Sequence, residues 1–374
     1  MLLPEIFHTT LKNNNFQYFT GVPDSTLKEW LKIVQIDTQI THRIASNEGS
    51  AIAHASGYYL ATGKIGTVYM QNSGIGNAIN PLTSLVDKKI FNIPILLIIG
   101  WRGADANDEP QHKSMGKKII PLLSCLGLSY QILDTSFYEH QIQSIKTKIT
   151  KDNKACALII KKGVFSKIKK NTLPQKNIHL SREEAISTII SNINDHCCFI
   201  ATTGKISREL FELQKKNNKL NQNFFVVGSM GHASAIAMEI ACQKPDLKII
   251  LLDGDGSVLM HMGNLATIGF YSPSNLVHIV LDNGSYDSTG GQLTFSNITD
   301  FAVIAKGCGY ANASICLSKD DIVKSLSSHQ KGPLLLILKV KIGSRSNLGR
   351  PDLTTFKMKD MFMKYLSKDY THEK

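Results

Sequence analysis

Apolar runs alternate with polar or helix-like segments along most of the chain. Segments with helical spacing or capping signals lie between most of the runs, for example at 48–63, 181–194 and 234–243. Continuous apolar strands separated by helices are typical of parallel sheets that are covered on both faces. The pattern therefore predicts an α/β protein with mainly parallel sheets. The runs that predict its strands are 65–70, 93–99, 155–161, 196–202, 224–228, 247–253, 275–282 and 332–340.

The alternation is interrupted around residues 162–180, which are basic and polar and have no periodicity. On either side lies a half with its own strands and helices, long enough to bury a core. We expect two doubly wound domains, at 1–165 and 181–350, with a linker at 166–180 and a C-terminal helix or tail at 351–374. A chain of 374 residues leaves no room for a central third domain of ordinary size.

Charge and cysteine content indicate which kind of ligand the protein binds and in which cellular compartment it lies. The chain has 42 Lys+Arg and 30 Asp+Glu, a formal net charge of +12, which suits anionic partners. Its basic runs contain almost no aromatic residues, so nucleic-acid binding is disfavoured. The seven cysteines form no C-x-x-C pair, and neither a signal peptide nor a membrane-length apolar run is present. We expect a cytoplasmic protein that binds no membrane and takes a small anionic substrate.

Two strand ends carry candidate chemistry: "DGDGS" at 253–257 and "DNGSY" at 282–286. The carboxyl ends of parallel strands open onto one edge of a sheet, where ligands bind in α/β folds. Small residues let backbone approach a phosphate closely, and Asp255 and Asn283 offer oxygen ligands of the kind Mg²⁺ prefers. Either dipeptide alone is also a common turn. Their spacing of one strand–helix–strand unit favours a diphosphate held through Mg²⁺.

These two motifs resemble the signature of the thiamine-diphosphate enzymes, a G-D-G followed one such unit later by an Asn-containing pair. The resemblance implies thiamine diphosphate and Mg²⁺ as cofactors, with the metal bound by Asp255, Asn283 and the backbone carbonyl of Ser285. It also implies that Met230 wedges between the two cofactor rings. The implied cofactor contacts of the second half are Thr203, Gly204, Gly228, Ser229, Met230, Gly254, Asp255, Gly256, Ser257, Asn283, Ser285 and Tyr286.

The segment "NEGSAIAHASGYYLATG" in the first half resembles the family's N-E-x-x-A-x-x-x-A-x-G-Y pattern. In the family the Glu hydrogen-bonds a pyrimidine nitrogen of the cofactor and promotes formation of the carbanion, a role that the resemblance gives to Glu48. Without that context, a Glu in the first turn of a helix is usually a partner of the helix dipole.

Other segments resemble the decarboxylase branch of the family: "GVPDS", "QNSGIGNAINPL", "GWRGADANDEPQHKSMGK" and "KIGSRSNLGRP". The two-domain length resembles members that convert 3-phosphonopyruvate to phosphonoacetaldehyde and CO₂ in phosphonate biosynthesis. Sulfopyruvate decarboxylation, or another two-domain decarboxylation of a 2-oxo acid, is the alternative. A doubly anionic substrate needs cations in its pocket.

Arg102 is the preferred cation because it follows a predicted strand at its carboxyl end, although a surface ion pair is the competing interpretation. The remaining candidates for substrate binding are Asn72, Ser73 and Arg345, with Arg350 as an alternative to Arg345. Candidates for catalysis are Glu48, Ser25, Asp24 and His112, with His54 as a further option for proton handling. In the family the two ends of the cofactor are held by different subunits, which implies a homodimer or a higher homo-oligomer with shared active sites.

Overall fold

The structure is a computed structural model that describes residues 1–105, 108–168, 178–194, 196–287, 289–328 and 332–367. The chain divides into two compact units, Met1–Thr172 and Leu173–Lys374. The predicted linker at 166–180 and tail at 351–374 both extend outside the described residues, so the predicted domain boundaries stay predictions.

The first unit is built on a six-stranded sheet in the order β2-β1-β3-β4-β6-β5, in which every neighbouring pair is parallel. Its strands are β1 (Tyr18–Gly21), β2 (Thr41–Ile44), β3 (Gly66–Gln71), β4 (Ile95–Trp101), β5 (Ser129–Ile132) and β6 (Cys156–Lys161). Its helices are α1 (Pro4–Asn13), α2 (Lys28–Ile36), α3 (Glu48–Thr62), α4 (Ile75–Pro81), α5 (Pro110–Cys125) and α6 (Tyr138–Asp152).

The second unit repeats this plan with a second six-stranded parallel sheet and adds a small hairpin. Its strands are β7 (Cys197–Ala201), β8 (Asn223–Phe225), β9 (Lys248–Gly254), β10 (Leu276–Asp282), β11 (Ser285–Tyr286), β12 (Gln292–Leu293), β13 (Asn312–Cys316) and β14 (Leu334–Lys339). The sheet order is β13-β14-β10-β9-β7-β8, and β11 and β12 pair antiparallel. Its helices are α7 (Arg182–Ser191), α8 (Lys205–Lys216), α9 (Ala233–Gln243), α10 (Asp255–Met260), α11 (Asn264–Tyr271), α12 (Phe301–Gly307), α13 (Lys319–Ser327) and α14 (Thr355–Leu366).

Each sheet is buried on both faces, which explains the continuous apolar runs. In β4, Leu96 and Ile98 pack into one core cluster, whereas Leu97 and Ile99 pack into the cluster on the opposite face. Strands of this kind are apolar at every position because both faces are covered by helices. The predicted fold class, two doubly wound α/β domains with mainly parallel sheets, is confirmed.

Six short strands are absent from the predicted set: β1, β2, β5, β11, β12 and β13. Strand β2 is only partly buried, so its sequence lacks a continuous apolar run. Helix α14 buries Phe362 and Tyr365 in the core of the second unit. Among the described residues, no helix combines the length and apolar character needed to cross a membrane.

Candidate active site

Glu48 is the first residue of α3, where the sequence predicts a helix start. Asn47 caps the helix, and its side-chain oxygen accepts a 2.9 Å hydrogen bond from the backbone N–H of Ser50. The Glu48 side chain is turned inward, and the residue is only 6% exposed. Burial raises the pKa of Glu48, since removing water disfavours the charged carboxylate.

The turn after β3 and the first residues of α4 surround this carboxyl group. Asn77 donates a 2.7 Å hydrogen bond from Nδ2 to Glu48 Oε2. Gly74 lies so close that a Cβ atom there would be 2.3 Å from Glu48 Oε1. Neither residue is singled out in the sequence, although both belong to the Gly-rich segment "QNSGIGNAINPL". The glycine was the available signal, because only its missing side chain leaves room for the carboxylate.

Asp24 lies in the loop after β1 and is 0% exposed. Its Oδ2 accepts hydrogen bonds from the backbone N–H groups of Thr26 and Leu27, at 2.9 and 3.2 Å. Its Oδ1 is buried with no hydrogen-bond partner among the described residues. Burial raises the pKa of Asp24 to about 6, and nearby Arg102 opposes that rise. Asp24 is therefore an acid that changes protonation close to neutral pH.

Arg102 follows β4 and is bound by three side chains. Asp108 pairs with its guanidinium through Nε at 2.8 Å and Nη2 at 2.5 Å, and Nη1 donates to Ser25 Oγ at 2.9 Å. Asn72 binds the backbone of Arg102 on both sides, donating from Nδ2 to its carbonyl and accepting from its N–H at Oδ1. Three predicted residues, Ser25, Asn72 and Arg102, therefore lie together. Asp108, which is not among the predicted site residues, joins them.

The other candidates of the first unit lie in the same loops or on the adjacent helices. Ser73 is exposed and accepts a 2.6 Å hydrogen bond from Gln71. His112 lies in the first turn of α5 and is half-buried. His54 lies on the exposed side of α3, with Nδ1 3.4 Å from Thr20 Oγ1.

In the second unit, Asp255 begins α10 directly after β9 and is 3% exposed. Its Oδ2 accepts a hydrogen bond from Thr294 Oγ1. Burial, reinforced by the neighbouring carboxylate of Asp282, raises the pKa of Asp255 to about 7. Asp282 is paired with Lys339, whereas Asp255 has no cationic partner among the described residues. A buried carboxylate is unfavourable unless a cation or a proton compensates its charge. The chemistry of this cluster thus fits a bound divalent cation.

The next strand end supplies the other predicted metal ligands. Asn283 follows β10, and its Oδ1 accepts a 3.0 Å hydrogen bond from the backbone N–H of Ser285. The Ser285 carbonyl accepts from the N–H of Asp287 at 3.0 Å and retains a second lone pair. Asp255, Asn283 and the Ser285 carbonyl would offer Mg²⁺ oxygen ligands only, which is the kind of ligand that this ion prefers. Among the described residues, no cluster of three or more His, Cys, Asp and Glu forms a different metal site.

The two glycines of "DGDGS" differ in their surroundings. A Cβ on Gly256 would lie 2.6 Å from the ring of Tyr286, so this glycine is needed for the close packing of β11 on α10. At Gly254 a Cβ would meet only the tip of Ile206, at 3.4 Å. Ser257 is buried and lies 3.0 Å from Thr202 through the two hydroxyl oxygens.

Two further loops lie at the ends of β7 and β8, on the same edge of the second sheet. Gly204 caps α8 with a φ of 101°, and the space where its Cβ would be is open for 4 Å. Gly228 donates from its backbone N–H to Thr203 Oγ1 at 3.2 Å, which joins the two loops. Met230 is half-buried in a turn whose neighbours, Ser229 and Gly231, have φ values of 44° and 85°. The residues on both sides of Met230 therefore have the left-handed backbone conformation, which residues other than glycine rarely adopt.

Arg345 is bound differently from the other candidates. Its guanidinium forms ion pairs with Glu183 and Glu212, on α7 and α8 of the second unit. Its hydrogen bonds reach these residues and Asn347, and none of its described bonds reaches another predicted site residue.

Comparisons with known proteins match each half of the chain to a domain of one enzyme family. Residues 1–119 match the model for the thiamine pyrophosphate enzyme, N-terminal TPP binding domain, and residues 202–338 match the C-terminal TPP binding domain. The chain is 34% identical to a phosphonopyruvate decarboxylase of Streptomyces viridochromogenes, over 93% of this chain and 90% of the relative. It is 31% identical to one of Streptomyces hygroscopicus, over 94% and 90%. A sulfopyruvate decarboxylase of Methanosarcina acetivorans is 28% identical over 75% of this chain and 76% of its own.

Proposed function

Because the chain belongs to the thiamine pyrophosphate enzymes, within the family of the phosphonopyruvate decarboxylases, we propose that this decarboxylase converts 3-phosphonopyruvate to phosphonoacetaldehyde and CO₂. The proposed biological setting is the biosynthesis of phosphonates. The observation that supports this substrate most directly is the guanidinium of Arg102. It lies at the same sheet edge as Glu48 and Asp24, where a phosphonate needs a cation.

Thiamine diphosphate, when bound, supplies a carbon nucleophile and an electron sink for decarboxylation of a 2-oxo acid. In the proposed site Glu48 holds a proton at its buried carboxyl group, and Asn77 and Gly74 keep that group in place. Asp24 is the candidate for giving a proton to the product, because its pKa of about 6 keeps both protonation states accessible. Arg102, with Ser25 beside it, binds the phosphonate.

We assign the diphosphate and Mg²⁺ to the second unit. Asp255, Asn283 and the Ser285 carbonyl would hold Mg²⁺, which would supply positive charge for the diphosphate. The backbone at Gly204, at the N-terminus of α8, and the adjacent Gly228 loop suit the diphosphate oxygens. Met230 would support the cofactor, as the family resemblance implies.

We further propose a cytoplasmic homo-oligomer in which each site takes one unit from each of two subunits. All seven cysteines lie among the described residues, and none of them forms a disulfide bond, which suits a reducing compartment. The shared site is what the family resemblance implies, and mixing variants with defects in different units tests it.

The substrate proposal is tested by recording CO₂ release from phosphonopyruvate, sulfopyruvate and pyruvate, with thiamine diphosphate and Mg²⁺ present. We expect kcat/KM for phosphonopyruvate to exceed that for pyruvate by at least about tenfold, since charge-assisted hydrogen bonds contribute roughly 1.5–3 kcal/mol. Preference for sulfopyruvate would move the chain to the related activity of the Methanosarcina protein. Equal rates on pyruvate would remove the argument for an anion clamp.

A further inference from the structure

We propose that Asp108 is a positioning residue that holds Arg102 as a fixed clamp for the second anionic group of the substrate, an inference that rests on the proposed function for the identity of that group. Asp108 is not part of the predicted site and does not itself contact the substrate in this proposal. Its effect on the reaction passes through the guanidinium of Arg102.

Asp108 is held too firmly to be a temporary partner of Arg102. Besides its two bonds to the guanidinium, it accepts hydrogen bonds from the backbone N–H groups of Gly103 and Glu109, at 3.0 and 2.9 Å. Its side chain is 8% exposed. The hydrogen bonds from Arg102 hold the pKa of Asp108 well below its usual range, so the carboxylate stays ionised. An incoming anion would have to break four bonds to displace it, so Asp108 stays in place.

The backbone that carries Arg102 is fixed as well. Asn72, which is fully buried, binds both the N–H and the carbonyl of Arg102. The preceding Trp101 donates from Nε1 to the Gly116 carbonyl on α5 at 2.9 Å. The following Gly103 packs so closely on α5 that a Cβ there would lie 1.8 Å from the His112 carbonyl oxygen. The orientation of the guanidinium is therefore set from both ends of the side chain.

Arg102 keeps hydrogen-bonding capacity after these contacts. A guanidinium has five N–H donors, and the bonds to Asp108 and Ser25 use three of them. The two that remain, one on each terminal nitrogen, have no partner among the described residues. Asp108 binds Nε and one N–H of Nη2, so one N–H on each of Nη1 and Nη2 is left to bind a tetrahedral anion. A guanidinium without Asp108 would have to be ordered by the substrate at an entropic cost.

A purely structural ion pair makes a different prediction. If Asp108 only stabilised the loop, its loss would lower stability and would affect all substrates alike. If Asp108 positions Arg102, its loss should affect substrates with a second anionic group and should spare pyruvate. The two interpretations therefore differ in how KM depends on the substrate, independently of any change in stability.

The experiment compares Asp108→Asn, Arg102→Lys and the double variant, as holoenzymes with thiamine diphosphate and Mg²⁺. Calorimetry measures binding of 3-phosphonopropionate, which has both anionic ends and no ketone, and kinetics measures turnover of phosphonopyruvate and pyruvate. Asp108→Asn should raise the Kd of 3-phosphonopropionate and the KM of phosphonopyruvate by about tenfold or more. Pyruvate turnover should change less than about twofold, and the double variant should be no worse than Arg102→Lys.

Two variants serve as controls. Asp105→Asn removes an exposed carboxylate from the same loop and should leave binding and kinetics unchanged. Asp108→Glu keeps the charge and should restore part of the lost affinity. Equal losses on phosphonopyruvate and pyruvate, or additive losses in the double variant, would overturn the inference.

The same experiment separates this inference from the proposed function. A wild-type protein that binds 3-phosphonopropionate and releases no CO₂ from phosphonopyruvate contradicts the proposed function, while the effect of Asp108 on binding is still measured. If the wild type turns over phosphonopyruvate and Asp108→Asn has the same Kd and KM as the wild type, the inference is contradicted and the proposed function is not. A wild-type protein that does not bind 3-phosphonopropionate also overturns the inference.

Discussion

At the scale of single residues, the site is marked by carboxyl groups whose pKa values are raised by burial. Glu48, Asp24 and Asp255 are all buried, and each has a raised pKa. Burying an acidic side chain costs free energy at neutral pH. Buried acids with raised pKa values are therefore found most often at functional sites. In the proposed function the first two handle protons, whereas Asp255 binds a metal.

Because burial of the Asp255 carboxylate costs free energy, we expect that removing its charge stabilises the protein in a pH-dependent way. Its pKa is about 7 in the folded protein and near 3.8 when unperturbed, so the folded state binds the proton more tightly than the unfolded state does. The stabilisation from this proton is complete below about pH 4 and is lost as the pH rises towards 7. Without metal at pH 8, Asp255→Asn should therefore raise the free energy of unfolding, by about 1–4 kcal/mol.

Denaturant unfolding at pH 4 and pH 8, in EDTA or in Mg²⁺ with thiamine diphosphate, measures this effect. In EDTA the free energy of unfolding of the variant should exceed that of the wild type at pH 8 and equal it at pH 4. Addition of Mg²⁺ with thiamine diphosphate should stabilise the wild type more than the variant. Asp246→Asn, at an exposed position of the same unit, is the control. A variant that is less stable in EDTA at pH 8, or that gains as much from Mg²⁺ as the wild type, would contradict the assignment.

At the scale of elements, the site follows from the order of the strands. Strands β2, β1, β3 and β4 are neighbours in the first sheet, and the segments after them carry Glu48, Asp24, Asn72 and Arg102. Parallel strands all end on one edge, so residues far apart in sequence become neighbours there. In the second sheet β10 and β9 likewise bring Asn283 close to Asp255.

The close approach of the β3–α4 loop to the start of α3 gives a prediction at this scale. In Gly74→Ala the new Cβ would lie 2.3 Å from Glu48 Oε1, so the carboxyl group must move. We expect kcat to fall by about 100-fold or more, because proton transfer requires a positioned group. Gly76→Ala is the matched control, since no atom beyond its chain neighbours and its own helix backbone lies within 4 Å of its Cβ position.

Steady-state kinetics and circular dichroism of the two glycine variants provide the test. Gly76→Ala lies inside α4, where alanine is favoured over glycine, and it should keep wild-type activity and helix content. If both variants are fully active, the contact between Gly74 and Glu48 has no role in catalysis.

At the scale of the whole molecule, the two units carry complementary parts of the proposed site. In this proposal the first unit supplies the acid and the anion clamp, whereas the second supplies the metal ligands and the diphosphate loops. If each site combines the first unit of one subunit with the second unit of another, variants with defects in different units should complement each other.

Co-expression of differently tagged Glu48→Gln and Asp255→Asn chains tests this arrangement. Each variant alone should be inactive, and the purified hetero-oligomer should regain activity, because one of its two kinds of site has neither substitution. In an unseparated mixture about one quarter of the sites should be intact by statistical assembly. Oligomers that carry both tags and show no activity would contradict the shared site, and two differently tagged Glu48→Gln chains provide the inactive control.

The sequence alone predicts the long buried strands well. Strand β10 covers 276–282 against a predicted 275–282, and β14 covers 334–339 against 332–340. A strand covered on both faces must be apolar throughout, so its pattern depends little on its neighbours. Strand β2 is short and only partly buried, so only pairing with β1 defines it.

The same division applies to the site. The sequence determined which segments carry the candidate chemistry, because Glu48, Asp255 and Asn283 stand in motifs that depend only on local order along the chain. The tertiary structure decided which side chains support them: Asn77 for Glu48, Thr294 for Asp255 and Asp108 for Arg102. The tertiary structure also causes the raised pKa values of the buried carboxyl groups, because burial and hydrogen bonding arise only when distant segments pack together.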